Sequence, residues 1–327
     1  MFPWLNLFRS MGRWPINGSV NRITIVLARV FLSVLSTQTV FSSEDPHPDT
    51  LRVMSYNTWY VFGARNKYVE ADQRPDPAKW VKSQTPDVVA LQELTSIKPE
   101  RLKEFAAAWG HQYSSLLKTS GFSVGLTSRW PIETIEKGLK GMHHGFLHAK
   151  TNGVHYFLVH LSPFKWAVRQ REAKLLMRQI NPLLKKGKEV IVLGDFNAVS
   201  KEDEKWIESA ENVERLQSNK ESDVKHGHVQ NLKNGKWDYG TMDIFFNGGL
   251  KDSATGKLAE SFEARLSIPT GIWNKNTNYA VPTIGHRIDF ILASQSLQKK
   301  VKTCKIITEG DVNRISDHYP VITEFTQ

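Results

Sequence analysis

Short apolar runs that stop at a polar side chain recur along this chain of 327 residues, and they constrain its fold more than any other feature. VMSY is closed by Asn57, PDVVALQ by Glu93, VHYFLV by His160 and VIVLG by Asp195, with Asn197 two residues on. Asp289 opens the run DFIL, and Asp317 and His318 stand in SDHYP. Runs of this kind, bounded by turn residues, read as buried strands. Strand ends that meet at one edge of a sheet would gather oxygen donors and imidazoles from distant sequence into one cleft.

The intervening sequence fits an α/β alternation. Strands are expected at 51–56, 88–91, 121–126, 154–160, 189–194, 249–254 and 287–292, with an edge strand near 128–132 and a last strand after Pro320. Helices are expected at 78–82, 99–109 and 165–184. In the last of these Ala173, Leu176, Met177 and Ile180 recur at three and four residues, which makes one face of a helix. Residues 200–240 are polar and poor in β-branched residues, and read as a helix over 202–216 followed by a loop. No internal repeat, P-loop, HExxH or CxxC pattern is present.

The length suits one large domain. Cys304 is the single cysteine, which excludes an internal disulfide and a multi-cysteine zinc site, so a metal would be held by oxygen and imidazole. Residues 1–43 carry four arginines, no acidic residue and an apolar stretch over 23–41 that Arg29 interrupts. That segment reads as a secretory leader rather than a membrane span, with cleavage near Val40 to Ser43, and implies export to the periplasm or beyond the cell. Residues 44–50 form a polar, proline-bearing linker and 51–327 the folded domain. The net charge of +10 falls to +6 without the four leader arginines, a surplus that draws polyanions such as nucleic acid or anionic lipid headgroups.

Each polar position suits a particular chemistry. In extended backbone Asp195 and Asn197 face one side while Phe196 turns into the core; the alternative is an Asx turn that ends a strand. A carboxylate such as Glu93 at the end of an apolar run needs a cation or hydrogen-bond donors. The amide oxygen of Asn57 suits a hard cation such as Mg²⁺. A carboxylate from Asp289 or Asp317 against His318 would fix the imidazole tautomer and raise its basicity. His160 suits donation to an oxygen on which charge builds in a transition state.

In order and wording these blocks, with GDFN and SDH intact, resemble the endonuclease/exonuclease/phosphatase superfamily, which includes DNase I-like nucleases, abasic-site endonucleases, inositol polyphosphate phosphatases and neutral sphingomyelinases. The likeness spans residues 50–327. It implies a four-layered α/β sandwich, two packed and mostly antiparallel β-sheets flanked by helices. It also implies roles: Glu93 as principal Mg²⁺ ligand, Mn²⁺ being the alternative ion, with Asn57 nearby and Asp317 as a second metal contact. Asp195 would orient or deprotonate the attacking water, Asn197 and His160 would stabilise phosphoryl oxygens, and Asp289 would orient His318. Which of Asp195 and His318 takes the proton stays open. Trp59 stands where abasic-site endonucleases carry an aspartate, a departure from that branch that favours one metal over two. The family pattern has no counterpart for residues 200–240.

The leading expectation is therefore an exported, Mg²⁺-dependent phosphodiesterase of the nuclease type, acting as a monomer on nucleic acid. Aromatic and basic residues interleave in 60–74 and 265–286, where Trp273 and Tyr279 would stack bases and Arg65, Lys67 and Lys275 would meet phosphates. The runner-up resembles bacterial sphingomyelinases, with the same aromatics entering a membrane at a lipid headgroup. A phosphomonoesterase comes third. A catalytically silent binding module is disfavoured, because every carboxylate, amide and imidazole of the set is present.

Overall fold

The computed structural model describes residues 49–327 apart from Arg65. The expected leader, residues 44–48 of the linker and Arg65 lie outside the described residues. The first six strands are β1 (Thr50–Asn57), β2 (Val88–Gln92), β3 (Tyr113–Leu116), β4 (Gly125–Ser128), β5 (Glu133–Gly138) and β6 (Phe146–Thr151). Then follow β7 (Val154–His160), β8 (Val190–Asp195), β9 (Leu250–Asp252), β10 (Asp289–Ser294), β11 (Val301–Ile306) and β12 (Val321–Thr326). They form two six-stranded sheets, ordered β11-β12-β1-β2-β4-β3 and β5-β6-β7-β8-β10-β9.

Both sheets follow one scheme. The central pairs β1/β2 and β7/β8 are parallel, and the other pairings are antiparallel. A parallel pair needs a crossover, supplied here by the helices Pro77–Ser83 and Trp166–Lys185. The first crossover is capped as its sequence dictates: the Asp76 carboxylate accepts the backbone N–H of Ala78 at 2.9 Å and of Lys79 at 3.2 Å, with Pro77 in the first turn.

Strands β1 and β2 lie across β8 and β10, which puts one core between the sheets. Alternate residues of β8 serve different layers. Ile191 and Leu193 join Val53, Leu91 and Tyr156 in the main apolar cluster, while Val190 and Val192 join Ala173, Leu176 and Ile180 from the helix Trp166–Lys185. Burial on both faces explains why the central strands read as unbroken apolar runs. Each fully buried large side chain contributes about 1.5–3 kcal/mol, so these central strands hold the molecule together. This is the four-layered α/β sandwich the resemblance implied. Among the described residues no helix is long and apolar enough to cross a membrane.

Three strands have no counterpart in the sequence reading: β3, β6 and β11. In β11 a register shift between Val301 and Thr303 breaks the two-residue period that would reveal a strand. The edge strand β5 begins at Glu133 rather than near Ser128, after Pro131, which has no N–H to give to a ladder. The helix expected over 202–216 is instead a short turn, a four-residue helix Glu204–Ile207 and a longer helix Val213–Lys225. Buried Asn212 marks the break, its amide donating to the carbonyls of Ile207 and Gly285 and accepting the Gly285 N–H.

Candidate active site

Register alone gathers much of the site. His160 pairs with Asp195 across β7/β8, and Asp289 pairs with Asp195 across β10/β8. In the facing sheet Asn57 pairs with Gln92, and Glu93 follows directly. Ser316 then ties the last block to the first: its hydroxyl donates to the Asn57 carbonyl at 2.7 Å and accepts the His318 N–H at 3.2 Å.

The backbone departs from regular extension where the site begins. Gly194 has φ of +141°, and a Cβ there would lie 2.0 Å from the Val159 carbonyl oxygen, so the GDFN block requires glycine. Asn197 has φ of +47°, which corrects the expectation of an extended segment from Asp195 onward. An Asx turn is formed instead, with the Asn197 N–H donating to Asp195 Oδ1 at 2.8 Å and the Asn197 amide donating to the Leu161 carbonyl at 3.0 Å. Phe196 does turn into the core. Glu93 and the four residues Trp59 to Phe62 also have positive φ, a left-handed turn that costs about 1–2 kcal/mol per residue. That turn brings the Tyr60 N–H to 3.3 Å from Glu93 Oε2 and the Val61 N–H to the Glu93 carbonyl.

All eight residues singled out in the sequence meet in one connected cluster. His318 Nδ1 donates to Asp289 Oδ2 at 2.8 Å, while its Nε2 lies 3.9 Å from both Asp195 Oδ2 and Asp317 Oδ1. The Asn57 amide nitrogen bridges two carboxylates, at 3.0 Å from Asp195 Oδ2 and 3.3 Å from Glu93 Oε1. Its oxygen accepts the Trp59 N–H at 3.1 Å. His160 Nε2 lies 3.5 Å from Asp195 Oδ2. Asn57, His160, Asp195, Asp289 and His318 are buried; Glu93, Asn197 and Asp317 are half-buried.

Burial sets the electrostatics. It pushes the Asp195 carboxyl up to about 7, helped by the Asp289 charge and opposed by His318. Burial likewise raises Asp317 to about 7 and lifts Glu93. His160 is held well below the usual imidazole range by burial and by His144. For His318 burial acts downward, but Asp289, Asp317 and Asp195 outweigh it and hold the imidazole well above its ordinary value.

The donor set fits a divalent cation. Four carboxylates crowd a mostly buried edge, and Asp289 Oδ1 and Asp317 Oδ1 have no hydrogen-bond partner. Charge of this density calls for a counter-ion, and a set dominated by oxygen selects a hard one such as Mg²⁺ or Mn²⁺. Ligand atoms of Asp195, Asp289 and His318 also lie within 4.8 Å of one another, a second grouping of suitable donors beside Glu93 and Asp317; the Asn57 oxygen, expected as a ligand, is turned to the Trp59 N–H, and its nitrogen faces the carboxylates.

Some supporting residues carried no recognisable sequence signal. His144 stacks on His160 with ring centroids 4.2 Å apart. Glu172, on the helix Trp166–Lys185, accepts the backbone N–H groups of His143 and Ser162 and so ties the loop before β6 to the loop after β7. Ser316 stood in the quoted SDH block but was given no role. An aromatic rim adjoins Asn57, where Trp59 packs against Tyr68 and Trp273. Tyr68 and Trp273 are exposed, whereas Tyr279 is buried with its hydroxyl on Gln73, which removes it from the expected stacking surface. Lys275 is paired with Glu70.

A DNase I-like α/β sandwich with a carboxylate and imidazole cluster on its sheet edge defines the class. A model of the Endonuclease/Exonuclease/phosphatase family matches residues 54–318, and the chain belongs to that family. A search of curated protein sequences finds no match. Among solved structures the chain is similar to an AP endonuclease from Archaeoglobus fulgidus at 16% identity and a TM-score of 0.58, covering 84% of this chain and 99% of that one. It is similar to the 3′ phosphatase NExo from Neisseria, solved with a product DNA hairpin, at 16% identity and a TM-score of 0.60, covering 85% and 100%. A family protein from Bacteroides thetaiotaomicron is similar at 18% identity and a TM-score of 0.53, covering 84% and 97%. At these identities the likeness is one of fold.

Proposed function

We propose that this phosphoester hydrolase is an exported, divalent-metal-dependent phosphodiesterase that acts as a monomer on nucleic acid. The observation that carries the reading is the convergence of Glu93, Asp195, Asp289, Asp317 and two imidazoles on one sheet edge. The nucleic-acid substrate is supported by the basic chain, the exposed Trp273 and Tyr68 beside the site, and a neighbour of the same fold solved with DNA. Export rests on the leader read in residues 1–43.

Glu93 would hold the cation with Asn57 and Asp317 beside it, and the ion, Mg²⁺ or Mn²⁺, would supply positive charge where phosphoryl charge develops. Asp195 and His318 act as one unit that orients the attacking water and moves its proton, and Asp289 fixes the His318 ring through Nδ1. Asn197 and His160 donate to phosphoryl oxygens. Among the described residues the His160 Nδ1 atom has no hydrogen-bond partner.

Nicking of supercoiled plasmid, measured with Mg²⁺ and with chelator, tests the reading. Chelator-sensitive nicking that disappears in His318→Ala is the expected result. The exposed Trp273 and Tyr68 also suit a lipid interface, so phosphocholine release from sphingomyelin without nicking would replace the nuclease by a lipid phosphodiesterase. Release of inorganic phosphate from inositol phosphates alone would make it a phosphomonoesterase.

A further inference from the structure

Next to the cluster lies a cavity that shares only Asn197 with the proposed chemistry. It has a volume of about 130 Å³, and Asn197, Arg169, Arg215, Trp237, Asp238 and His286 are among its lining residues. It begins two residues from Asp195, at Asn197, and one from Asp289, at Ile288. Arg215 and Trp237 come from the 200–240 segment, for which the family pattern offered no counterpart.

The lining is rich in donors that lack acceptors. Arg169 is buried, and its Nη atoms bond the Ser162 carbonyl and Asn231, but its Nε has no partner. Trp237 Nε1 is likewise buried without a partner. Arg215 donates through Nε to His286 Nδ1 at 3.0 Å, and among the described residues no carboxylate pairs with its guanidinium. Because His286 accepts at Nδ1, the neutral ring carries its hydrogen on Nε2, a further donor; burial and Arg215 keep that ring neutral. One carboxylate lines the cavity, Asp238, and its oxygens already accept from Gln170 and Thr241. The lining thus holds two guanidiniums and one engaged carboxylate, with Glu172, Asp195 and Asp223 acting on Arg169 from outside it, so Arg215 is the cation left without a carboxylate among the described residues.

Unsatisfied buried donors cost about 1–3 kcal/mol each, so this lining suits an occupant that brings acceptors and negative charge. The volume is below the roughly 300 Å³ at which small-molecule clefts begin, so it admits a single group and not a threading nucleotide. Resting on the phosphodiesterase reading above, we propose that this cavity binds a terminal phosphomonoester of a nucleic-acid strand whose adjoining diester lies at the Asp195 and His318 cluster. Arg215 is then a specificity residue, the one that makes a phosphorylated strand end the preferred substrate.

The test is fluorescence anisotropy on the full chain, in chelator, with one single-stranded oligonucleotide carrying a phosphate at its 5′ end, at its 3′ end or at neither. One of the phosphorylated ends should bind about tenfold more tightly than the unmodified strand. Arg215→Gln should remove that advantage, and Lys251→Gln, an exposed charge on β9, should keep it. Equal binding of all three strands, no binding of any, or an advantage that survives Arg215→Gln overturns the proposal. Inorganic phosphate is the competitor: if it abolishes the advantage when merely equimolar with the oligonucleotide, the occupant is free phosphate and the strand-end assignment falls. Cleavage of the same phosphorylated oligonucleotide in Mg²⁺ separates the two readings. An advantage without cleavage sustains the cavity and sinks the nuclease, and cleavage without an advantage does the reverse.

Discussion

His318 Nδ1 lies 2.8 Å from Asp289 Oδ2, and Asp289 is the cross-strand partner of Asp195. The ring is thereby aimed with its Nε2 toward the carboxylate of the neighbouring strand. The ladder that pairs Asp289 with Asp195 thus fixes the His318 ring against both carboxylates.

His318→Ala and Asp195→Ala should therefore each lower kcat about 10²–10⁴-fold, the range for loss of a positioned proton-transfer group. The double variant should be little worse than either single one. Steady-state kinetics on a diester that the protein hydrolyses decides the matter, and losses that multiply would show that the two residues work separately.

Stability should fall as acid charges the buried histidines. His111 sits between the Pro86 carbonyl and the Thr127 hydroxyl, at 2.8 Å from each, and burial lowers it from 6.5 to about 4. Its folded value lies below its unfolded one, so the unfolded chain takes up the proton first. The contribution is intact above pH 6.5 and is lost as pH falls toward 4, in total on the order of 2–3 kcal/mol. Urea unfolding across that window should give a shallower slope for His111→Gln than for the native chain. Comparing slopes isolates His111 from Asp195 and Asp317, whose raised values act in the opposite sense. Parallel slopes would rule this out.

Arg287 is buried between Asp203 at 2.7 Å and Asp252 at 2.6 Å, and so pins the 200–210 segment and β9 beneath the start of β10. Arg287→Met keeps the volume but strands Asp252 and leaves Asp203 to Arg265 alone, at 2.9 Å, at a cost of about 3–5 kcal/mol. Adding Asp252→Asn should recover part of that in chemical denaturation. No recovery would mean that packing, not charge, is what Arg287 supplies.

Gly194→Ala forces a Cβ against the Val159 carbonyl with φ at +141°. Overpacking and backbone strain together predict a loss of about 3–5 kcal/mol. Gly187→Ala, at φ of +66° with nothing within 4 Å of the added carbon, should cost only about 1 kcal/mol. Thermal or urea midpoints compare the two, and similar costs would show that the close approach to β7 is unimportant.

Much of this molecule was legible in its sequence because its central strands are buried on both faces, so Val88 to Leu91 and Val190 to Leu193 advertise themselves as apolar runs whose ends carry the chemistry. The local order of Asn57, Glu93, His160, Asp195 and His318 is a property of the chain alone. Three-dimensional pairing decided the rest. The approach of Asn57 to Asp195, 138 residues away, depends on two sheets packing face to face. The left-handed backbone at Glu93 and Asn197 is unreadable in advance, because neither is glycine and only surrounding contacts hold such conformations. The donor-lined cavity of Arg169, Arg215 and Trp237 is equally invisible in sequence. Hydrophobic period records which side of an element is dry; register, sheet packing and the meeting of charges from distant segments are set only when the chain closes on itself.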